Sequence, residues 1–456
     1  MSPLDSQPVV AVEELSLSAI IGSLSYALDL TEGLPAGHSL RCCWVGMHVG
    51  RQMGMDNEAL SHLYYTLLLK DAGCSSNAAR LFELYGTDDR QVKRDFKQVD
   101  TDSLMRLGRF VLSHVGVGKS LRERVSRILN LAQNGEEFAT ELIATRCERG
   151  ANISLQLGFD EEVADGIRCL DEHWNGRGKP AQLSGTAIPI ASRIALLSQV
   201  VEVFHSAAGR AHVREEVCKR SGSWFDPAVV EAFLAVQRQP GFWEGLRDDE
   251  LQLRIGEMEP ASKLVRIDEQ RLDTIAEAFA QVVDAKSHYT YGHSTRVASY
   301  TEAVAIRLGL PCERVRWLRR GALLHDIGKL GVSNAVLDKP GRLEANEWEQ
   351  VKAHALYSEQ ILARLNIFSE LAFVAAAHHE RLDGKGYPHG LYAERIPIET
   401  RIITVADIFD AITADRPYRG PIPVAEAIAM MEKECGTAID ESCLDALKQA
   451  LPGLGF

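Results

Sequence analysis

A long internal repeat constrains the fold of this chain more than any other feature of the sequence. Residues of the first half recur 255 positions later as the same or a similar residue. The recurring residues are Leu17, Ile20, Leu24, Leu28, Asp29, Gly37, His38, Ser39, Arg41, Asp71 and Gly73. The apolar members follow one another at steps of three and four, which predicts an amphipathic helix at the start of each copy. The first half therefore begins as a copy of the second.

A second run of matches has a smaller offset. Residues 175–180 align with residues 383–388 at an offset of 208, so the first copy contains about 47 extra residues between Asp71 and Arg146. The predicted domains are residues 1–256, with an insertion at about 75–145, and residues 257–456.

Histidine and acidic residues of the second copy form a pattern that indicates metal binding. The histidines are His293, His325, His354, His378 and His379, and they fall in four helix-like segments beside apolar residues. One such histidine is usually a hydrogen-bonded core residue, but five buried imidazoles need five partners. Metal ions would satisfy all of them together. Asp326 and Asp407 add carboxylate ligands to the set.

The run from Leu324 to Lys329 concentrates this chemistry. On a continuous helix, His325 and Asp326 point about 100° apart and Lys329 returns to the same face. We therefore expect two metal ligands and a fixed cation on one helix. A metal pair beside a cation suits phosphate chemistry.

The order of these motifs resembles the HD-GYP phosphodiesterases, a bacterial branch of the HD metal-dependent phosphohydrolases. The matching segments are 292–298, 325–329, 338–341, 378–388, 406–407 and 415–419, together with His354. They cover the chain from about residue 270 to its end. The resemblance implies an all-α fold, here two tandem HD-type helical bundles, and a cyclic dinucleotide substrate, with cyclic di-GMP expected first.

By this resemblance, seven residues would bind two divalent metal ions. The first ion would be held by His293, His325, Asp326 and Asp407, and the second by Asp326 as a bridge with His354, His378 and His379. The ions would supply an activated water, so no protein nucleophile is required. Imidazole and carboxylate ligands suit iron, manganese, nickel or zinc, and the family favours iron or manganese.

The family also implies the number of ions. Members with three ions carry a glutamate four residues before the first histidine, where this chain has Tyr289. A phenol with a pKa of about 10 is a poor ligand at neutral pH, so we expect two ions.

The substrate contacts are expected to be local, because the chain carries a formal charge of −13. The candidate phosphate contacts are Lys329, Arg416 and Arg419, with Asp326 and Lys329 as catalytic residues. For the two arginines, a solvated position at a helix end is the alternative. Gly386, Tyr387 and Pro388 form the family's loop that faces substrate and partner proteins, although composition alone predicts only a turn.

The first copy has lost most of this set. His38 and Asp71 remain, but Lys70 replaces His325, Cys74 replaces Lys329 and Arg146 replaces His354. In the first copy, Leu170 and Asp171 stand at the positions of the paired histidines. Gln199 stands at the position of Asp407, and Lys179 at that of Tyr387. Two remaining ligands cannot hold two ions. We expect a degenerate HD-GYP domain that serves regulation, dimerisation or ligand sensing.

Composition adds only general constraints. A hydrophobic content of 46% with 25% charged residues is typical of a globular protein. The sequence shows no signal peptide and no uninterrupted membrane-spanning run, and nine scattered cysteines are typical of free thiols. We therefore expect a cytoplasmic protein. No basic patch indicates binding to a nucleic-acid polymer.

The sequence thus predicts a metal-dependent phosphodiesterase of cyclic di-GMP in bacterial signalling. One alternative is a phosphohydrolase of another cyclic dinucleotide or nucleotide. A second is a receptor that binds the dinucleotide without turnover and acts by protein contact. A homodimer and signalling partners at the loop of residues 386–388 are further expectations.

Overall fold

The structure is a computed structural model that describes residues 17–99, 103–247, 250–260, 268–415 and 420–455. The described residues form helices, short 3₁₀ segments and four isolated β-bridges, with no β-strand among them. The predicted all-α fold is confirmed. No helix in these ranges is long and apolar enough to span a lipid bilayer.

The described part of the first half contains thirteen α-helices. These are α1 (Leu17–Thr31), α2 (His38–Gln52), α3 (Asn57–Leu69), α4 (Ala78–Tyr85), α5 (Asp89–Phe96), α6 (Leu104–His114), α7 (Leu121–Gln156), α8 (Glu161–Arg168), α9 (Ile190–Ala208), α10 (Arg210–Lys219), α11 (Pro227–Val236), α12 (Phe242–Gly245) and α13 (Leu251–Glu257). The range predicted for the insertion, about 75–145, contains α4, α5, α6 and the first part of α7.

The second half contains nine α-helices among the described residues. These are α14 (Glu269–Asp284), α15 (His293–Arg307), α16 (Cys312–Leu324), α17 (Asn334–Leu337), α18 (Ala345–Leu362), α19 (Ser369–Ala376), α20 (Ile398–Thr413), α21 (Val424–Glu432) and α22 (Glu441–Ala450). The packing repeats that of the first half, because α15 packs on α16 and α20 as α2 packs on α3 and α9.

The first helix of each half also contacts the other half. Helix α1 packs on the 3₁₀ segment Ile327–Gly331 and on α18, and α14 packs in the same way on Cys74–Asn77 and α7. Buried apolar residues of both halves form one continuous cluster, which includes Leu24 of α1 and Leu330 of the 3₁₀ segment. The apolar periodicity of α1 and α14 therefore marks faces that are buried partly between the two halves.

Local structure around His325 differs from the predicted continuous helix. Helix α16 ends at Leu324, and the chain turns through His325 and Asp326 into the 3₁₀ segment 327–331. Gly328 explains the change of direction, because a Cβ atom there would lie 1.9 Å from the carbonyl oxygen of His354. The turn therefore approaches α18 more closely than any side chain would permit. The predicted continuous helix was therefore wrong, and Lys329 lies on the 3₁₀ segment instead.

Candidate active site

Asp326 lies between two groups of histidines. Its Oδ2 atom is 3.4 Å from Nε2 of His293 and 3.3 Å from Nε2 of His325. Its Oδ1 atom is 3.4 Å from Nε2 of His354 and 3.8 Å from Nε2 of His378. Potential ligand atoms gather in two clusters, each within 4.8 Å: His293, His325 and Asp407 in one, and Asp326, His354, His378 and His379 in the other. Each carboxylate oxygen of Asp326 thus faces a different cluster.

The hydrogen bonds of the imidazoles leave one ring nitrogen of each directed at this centre. Nδ1 of His325, His354 and His378 lies 2.7, 2.6 and 2.5 Å from the carbonyl oxygens of the residues three positions earlier. Donation from Nδ1 fixes the tautomer and leaves a lone pair on Nε2. The Nε2 atoms of all three rings are buried and have no hydrogen-bond partner among the described residues.

Burial keeps part of this cluster uncharged. It lowers the pKa of His354 to about 4 and that of His378 to about 3. It also lowers the pKa of His379, to which the neighbouring His378 contributes. Because these pKa values lie below 7, the three histidines are neutral near pH 7. The neutral imidazole is the form that binds metal ions.

The carboxylates of the centre remain ionised although burial opposes it. Interactions with His325 and with the ammonium group of Lys329 hold the pKa of Asp326 well below its usual range. Hydrogen bonding and charge from His293 do the same for Asp407. Buried anions beside unpartnered imidazole nitrogens are an environment that attracts divalent cations, so these residues fit a metal pair.

Asp410 supports His293 and was not identified from the sequence. Its Oδ2 atom lies 2.7 Å from Nδ1 of His293, and its Oδ1 atom accepts a hydrogen bond of 2.6 Å from Nε of Arg296. Asp410 follows Asp407 by three residues, so both carboxylates lie on one face of α20. That spacing is a signal that could have revealed it.

Two further supporting residues were also missed. Ser358 of α18 donates a hydrogen bond of 2.8 Å to the carbonyl oxygen of His325 and accepts one of 2.9 Å from the amide of Gly328. Thr404 of α20 donates one of 2.7 Å to the carbonyl oxygen of His378. The backbone at both histidines is therefore fixed by hydroxyl groups of neighbouring helices, which local sequence patterns do not reveal.

The loop that contains Gly386, Tyr387 and Pro388 lies beside the second cluster. The ring centroid of Tyr387 is 4.7 Å from that of His379 and 6.3 Å from that of Trp348. Glu380 holds the loop, because its carboxylate accepts hydrogen bonds from the amides of residues 389–391 at 2.6–3.0 Å. Gly386 leaves no room for a side chain, since a Cβ atom would lie 2.3 Å from the amide nitrogen of Arg381.

The candidate phosphate contacts fall into two groups. The Nζ atom of Lys329 contacts Oδ2 of Asp326, so its positive charge lies at the edge of the metal-binding cluster. Arg416 and Arg419 lie outside the described residues.

Comparison with known proteins agrees with this geometry. The model of the HD domain family matches residues 121–229 and 277–443, which include parts of both halves. A 3'3'-cGAMP-specific phosphodiesterase 3 of Vibrio cholerae is 50% identical over 442 residues, which cover 97% of this chain and 96% of that protein. The chain belongs to the HD-GYP family.

A solved structure of that V. cholerae enzyme and a second relative place the similarity in context. A crystal structure of a cyclic GMP-AMP specific phosphodiesterase of V. cholerae superposes with a TM-score of 0.66 at 46% identity, and it covers 96% of this chain and 98% of that one. A cyclic di-GMP phosphodiesterase response regulator of Xanthomonas campestris is 37% identical over 183 residues, which cover 40% of this chain and 48% of that protein. The similarity to the V. cholerae enzyme therefore extends over the first half of this chain as well as the second.

In the first half of this HD-GYP protein, cationic side chains occupy the region that corresponds to the metal-binding clusters. Nζ of Lys70 contacts Asp71 and lies 3.1 Å from Nε2 of His38. Nζ of Lys97, from the insertion, lies 2.8 Å from Glu32. Their charges are therefore already balanced within the protein.

A second group of potential ligands in the first half is a poor metal site. Glu32, Asp71 and Cys74 bring ligand atoms within 4.8 Å of one another. Burial and the charges of Glu32 and Asp71 raise the pKa of the Cys74 thiol well above its usual value, which disfavours the thiolate. Lys97 also lies 3.9 Å from Asp71.

Proposed function

We propose that this protein is a metal-dependent phosphodiesterase that hydrolyses a 3'3'-cyclic dinucleotide in its second half. One observation carries the proposal: the two oxygens of Asp326 face two separate groups of buried imidazoles whose Nε2 atoms lack hydrogen-bond partners in the described structure. Two cations bridged by one carboxylate would satisfy both groups. Paired metal sites of this kind are typical of phosphodiester hydrolysis.

The proposed ligand sets follow the two clusters, with Asp326 shared between them. The first ion would bind His293, His325, Asp326 and Asp407, and the second would bind Asp326, His354, His378 and His379. When bound, the ions supply a water of lowered pKa for attack on phosphorus. Iron or manganese is the first expectation from the family, and nickel or zinc also suits these ligands.

The other residues of the centre would orient the substrate. Lys329 is suited to bind a phosphate oxygen, because its ammonium group lies beside Asp326 and its side chain is partly accessible. Tyr387 presents a ring beside His379, where it could contact a ribose or a base. Arg416 and Arg419 remain proposed phosphate contacts on the basis of the family motif.

The leading substrate is 3'3'-cGAMP. The supporting finding is the relative named for that specificity, which is similar along nearly the whole chain. Cyclic di-GMP is the second candidate, because relatives named for it, such as the one from X. campestris, match less than half of this chain. Cyclic di-GMP, the substrate that the sequence motifs led us to expect first, therefore ranks second to 3'3'-cGAMP.

We propose that the first half does not catalyse the reaction. Lys70 lies beside His38 and Asp71, so a cation of the protein itself is present where the first ion would bind in the second half. The predicted domains, residues 1–256 and 257–456, and the regulatory role of the first domain remain proposals.

A pair of equivalent substitutions tests this division. Asp407→Asn replaces a carboxylate by a neutral amide, which is a much weaker ligand for a divalent metal ion, and we expect loss of turnover and of bound metal. Gln199→Asn introduces the same side chain at the corresponding position of the first half, where we expect no change. Turnover of 3'3'-cGAMP, cyclic di-GMP and cyclic di-AMP is measured by chromatography of the products, and bound metal by elemental analysis.

The outcomes separate the alternatives. We expect two ions per chain, since Tyr289 replaces the glutamate associated with a third; three tightly bound ions would contradict this. Binding of a cyclic dinucleotide by the metal-loaded protein without any product would support the receptor. Equal loss of activity in the Asp407 and Gln199 variants would contradict the assignment of catalysis to the second half.

A further inference from the structure

An open pocket lies next to the candidate metal centre. Its volume is about 790 Å³, within the usual range for sites that bind small molecules. Its walls come from the segment before α15, from α15 itself and from the end of α20. The lining residues that matter for its chemistry are Tyr289, Tyr291, Arg296, Asp410 and Asp415.

The pocket shares a wall with the metal centre through Asp410. Asp410 bonds to Nδ1 of His293, while Nε2 of the same ring faces Asp326 and Asp407. One imidazole ring therefore separates the pocket from the place where a phosphate would be bound. A cyclic dinucleotide with a phosphate at the metal centre would have to extend one base past this ring to occupy the pocket.

Aromatic side chains make the pocket suitable for a nucleobase. Tyr291 has 80% of its surface exposed at the pocket, and Tyr289 lies two residues earlier in the same wall. Stacking of a base on an aromatic ring contributes roughly 1–3 kcal/mol whatever the base. The tyrosines therefore provide affinity, and another group must provide selectivity.

Asp415 is the group suited to select the base. The oxygens of Asp410 are already bonded to His293 and Arg296, whereas Asp415 is exposed and forms no ion pair within the described ranges. An ionised carboxylate only accepts hydrogen bonds. Guanine offers two adjacent donors on its Watson–Crick edge. Adenine offers one donor and one acceptor, and the lone pair of that acceptor would repel a carboxylate oxygen.

We propose that this pocket receives a guanine base of the substrate, with Tyr291 stacking on the base and Asp415 accepting from its Watson–Crick edge. The proposal rests on the proposed hydrolysis of cyclic dinucleotides. Such a pocket would admit both 3'3'-cGAMP and cyclic di-GMP, since each contains guanine. It excludes cyclic di-AMP.

Two substitutions in the full-length, metal-loaded protein test the pocket. For Asp415→Asn we expect kcat/KM for the two guanine-containing substrates to fall about ten- to a hundredfold, mainly through KM, because a bidentate contact is lost. Turnover of cyclic di-AMP should rise, since an amide offers both a donor and an acceptor. Tyr291→Ala should raise KM for all three substrates, while Tyr291→Phe should retain the wild-type values.

A base-free substrate provides the control. Hydrolysis of bis(p-nitrophenyl) phosphate requires the metal centre but no base pocket, so it should be unchanged in these variants. Asp445→Asn, at an exposed acidic residue of α22, should leave every activity unchanged. An equal fall for the base-free ester, or an unaltered preference for guanine over adenine in Asp415→Asn, would overturn the proposal.

A competition experiment distinguishes failure of the pocket from failure of the proposed function. GMP should inhibit hydrolysis of the base-free ester at least tenfold more strongly than AMP, and Asp415→Asn should abolish that difference. If no cyclic dinucleotide is hydrolysed but this difference is present, the proposed substrate is wrong and the guanine pocket stands. Equal inhibition by the two mononucleotides refutes the pocket.

Discussion

Replacement of Asp89 should strongly destabilise the contact between the insertion and the second half. Asp89 is buried at the start of α5, where its Oδ1 atom accepts a hydrogen bond of 2.8 Å from the amide of Asn334 and one of 3.3 Å from Ser333. Its Oδ2 atom lies 3.6 Å from Nζ of Lys286, a side chain that is only 1% exposed. The carboxylate therefore balances a buried ammonium group of the other half.

The magnitude follows from these contacts. Removal of one partner of a buried ion pair costs about 3–5 kcal/mol, because the remaining charge has no compensation. Burial already lowers the pKa of Lys286 to about 8 against the opposing effect of Asp89. We expect Asp89→Asn to lower the free energy of unfolding by about 3 kcal/mol or more. Asp89→Ala should cost about 1–3 kcal/mol in addition, since the amide of Asn334 also loses its acceptor.

Urea unfolding of the full chain, followed by circular dichroism, measures these changes. Asp88→Asn is the matched control, because Asp88 caps α5 by accepting from the amide of Arg90 and asparagine caps equally well. The double variant Asp89→Asn/Lys286→Met should lose much less than the sum of the two single variants. If Asp89→Asn costs no more than Asp88→Asn, or if the two single effects simply add, the ion pair does not stabilise this contact.

Two further predictions concern charge in each half. Burial lowers the pKa of His38, but the charges of Cys42 and Glu202 outweigh it and raise this pKa from 6.5 to about 9. The resulting stability is complete below pH 6.5 and is lost as the pH rises towards 9, by up to about 3 kcal/mol. Unfolding measured across this pH range should show that loss. The loss should be smaller in Glu202→Gln, which removes one of the two charges that raise this pKa. In the second half, Lys329→Ala should retain both ions but lower kcat/KM. The lower kcat/KM should correspond to a loss of transition-state stabilisation of about 2–4 kcal/mol. Elemental analysis checks the first point, and an emptied metal site would mean that Lys329 supports the ligands instead.

Much of this protein could be predicted from the sequence, because metal ligation restricts residue type and spacing. The all-α fold and the HD-GYP family are confirmed, and the structure gathers all seven predicted ligands in two clusters around Asp326. Their individual roles stay predictions. Asp410 and Ser358 were not identified from the sequence, because hydrogen bonds that support metal-binding residues can be made by many residue types from many positions.

The sequence by itself determined the repeat and the loss of ligands in the first copy, since both are properties of residue identity at fixed offsets. Only the tertiary structure decided that Lys97, just after α5, reaches Glu32 in the first half, while Asp89 at the start of α5 reaches Lys286 of the second. It also decided that α1 packs against the 3₁₀ segment that carries Lys329. The physical reason is that periodicity specifies which face of a helix is buried, whereas the partner of that face depends on contacts between residues hundreds of positions apart.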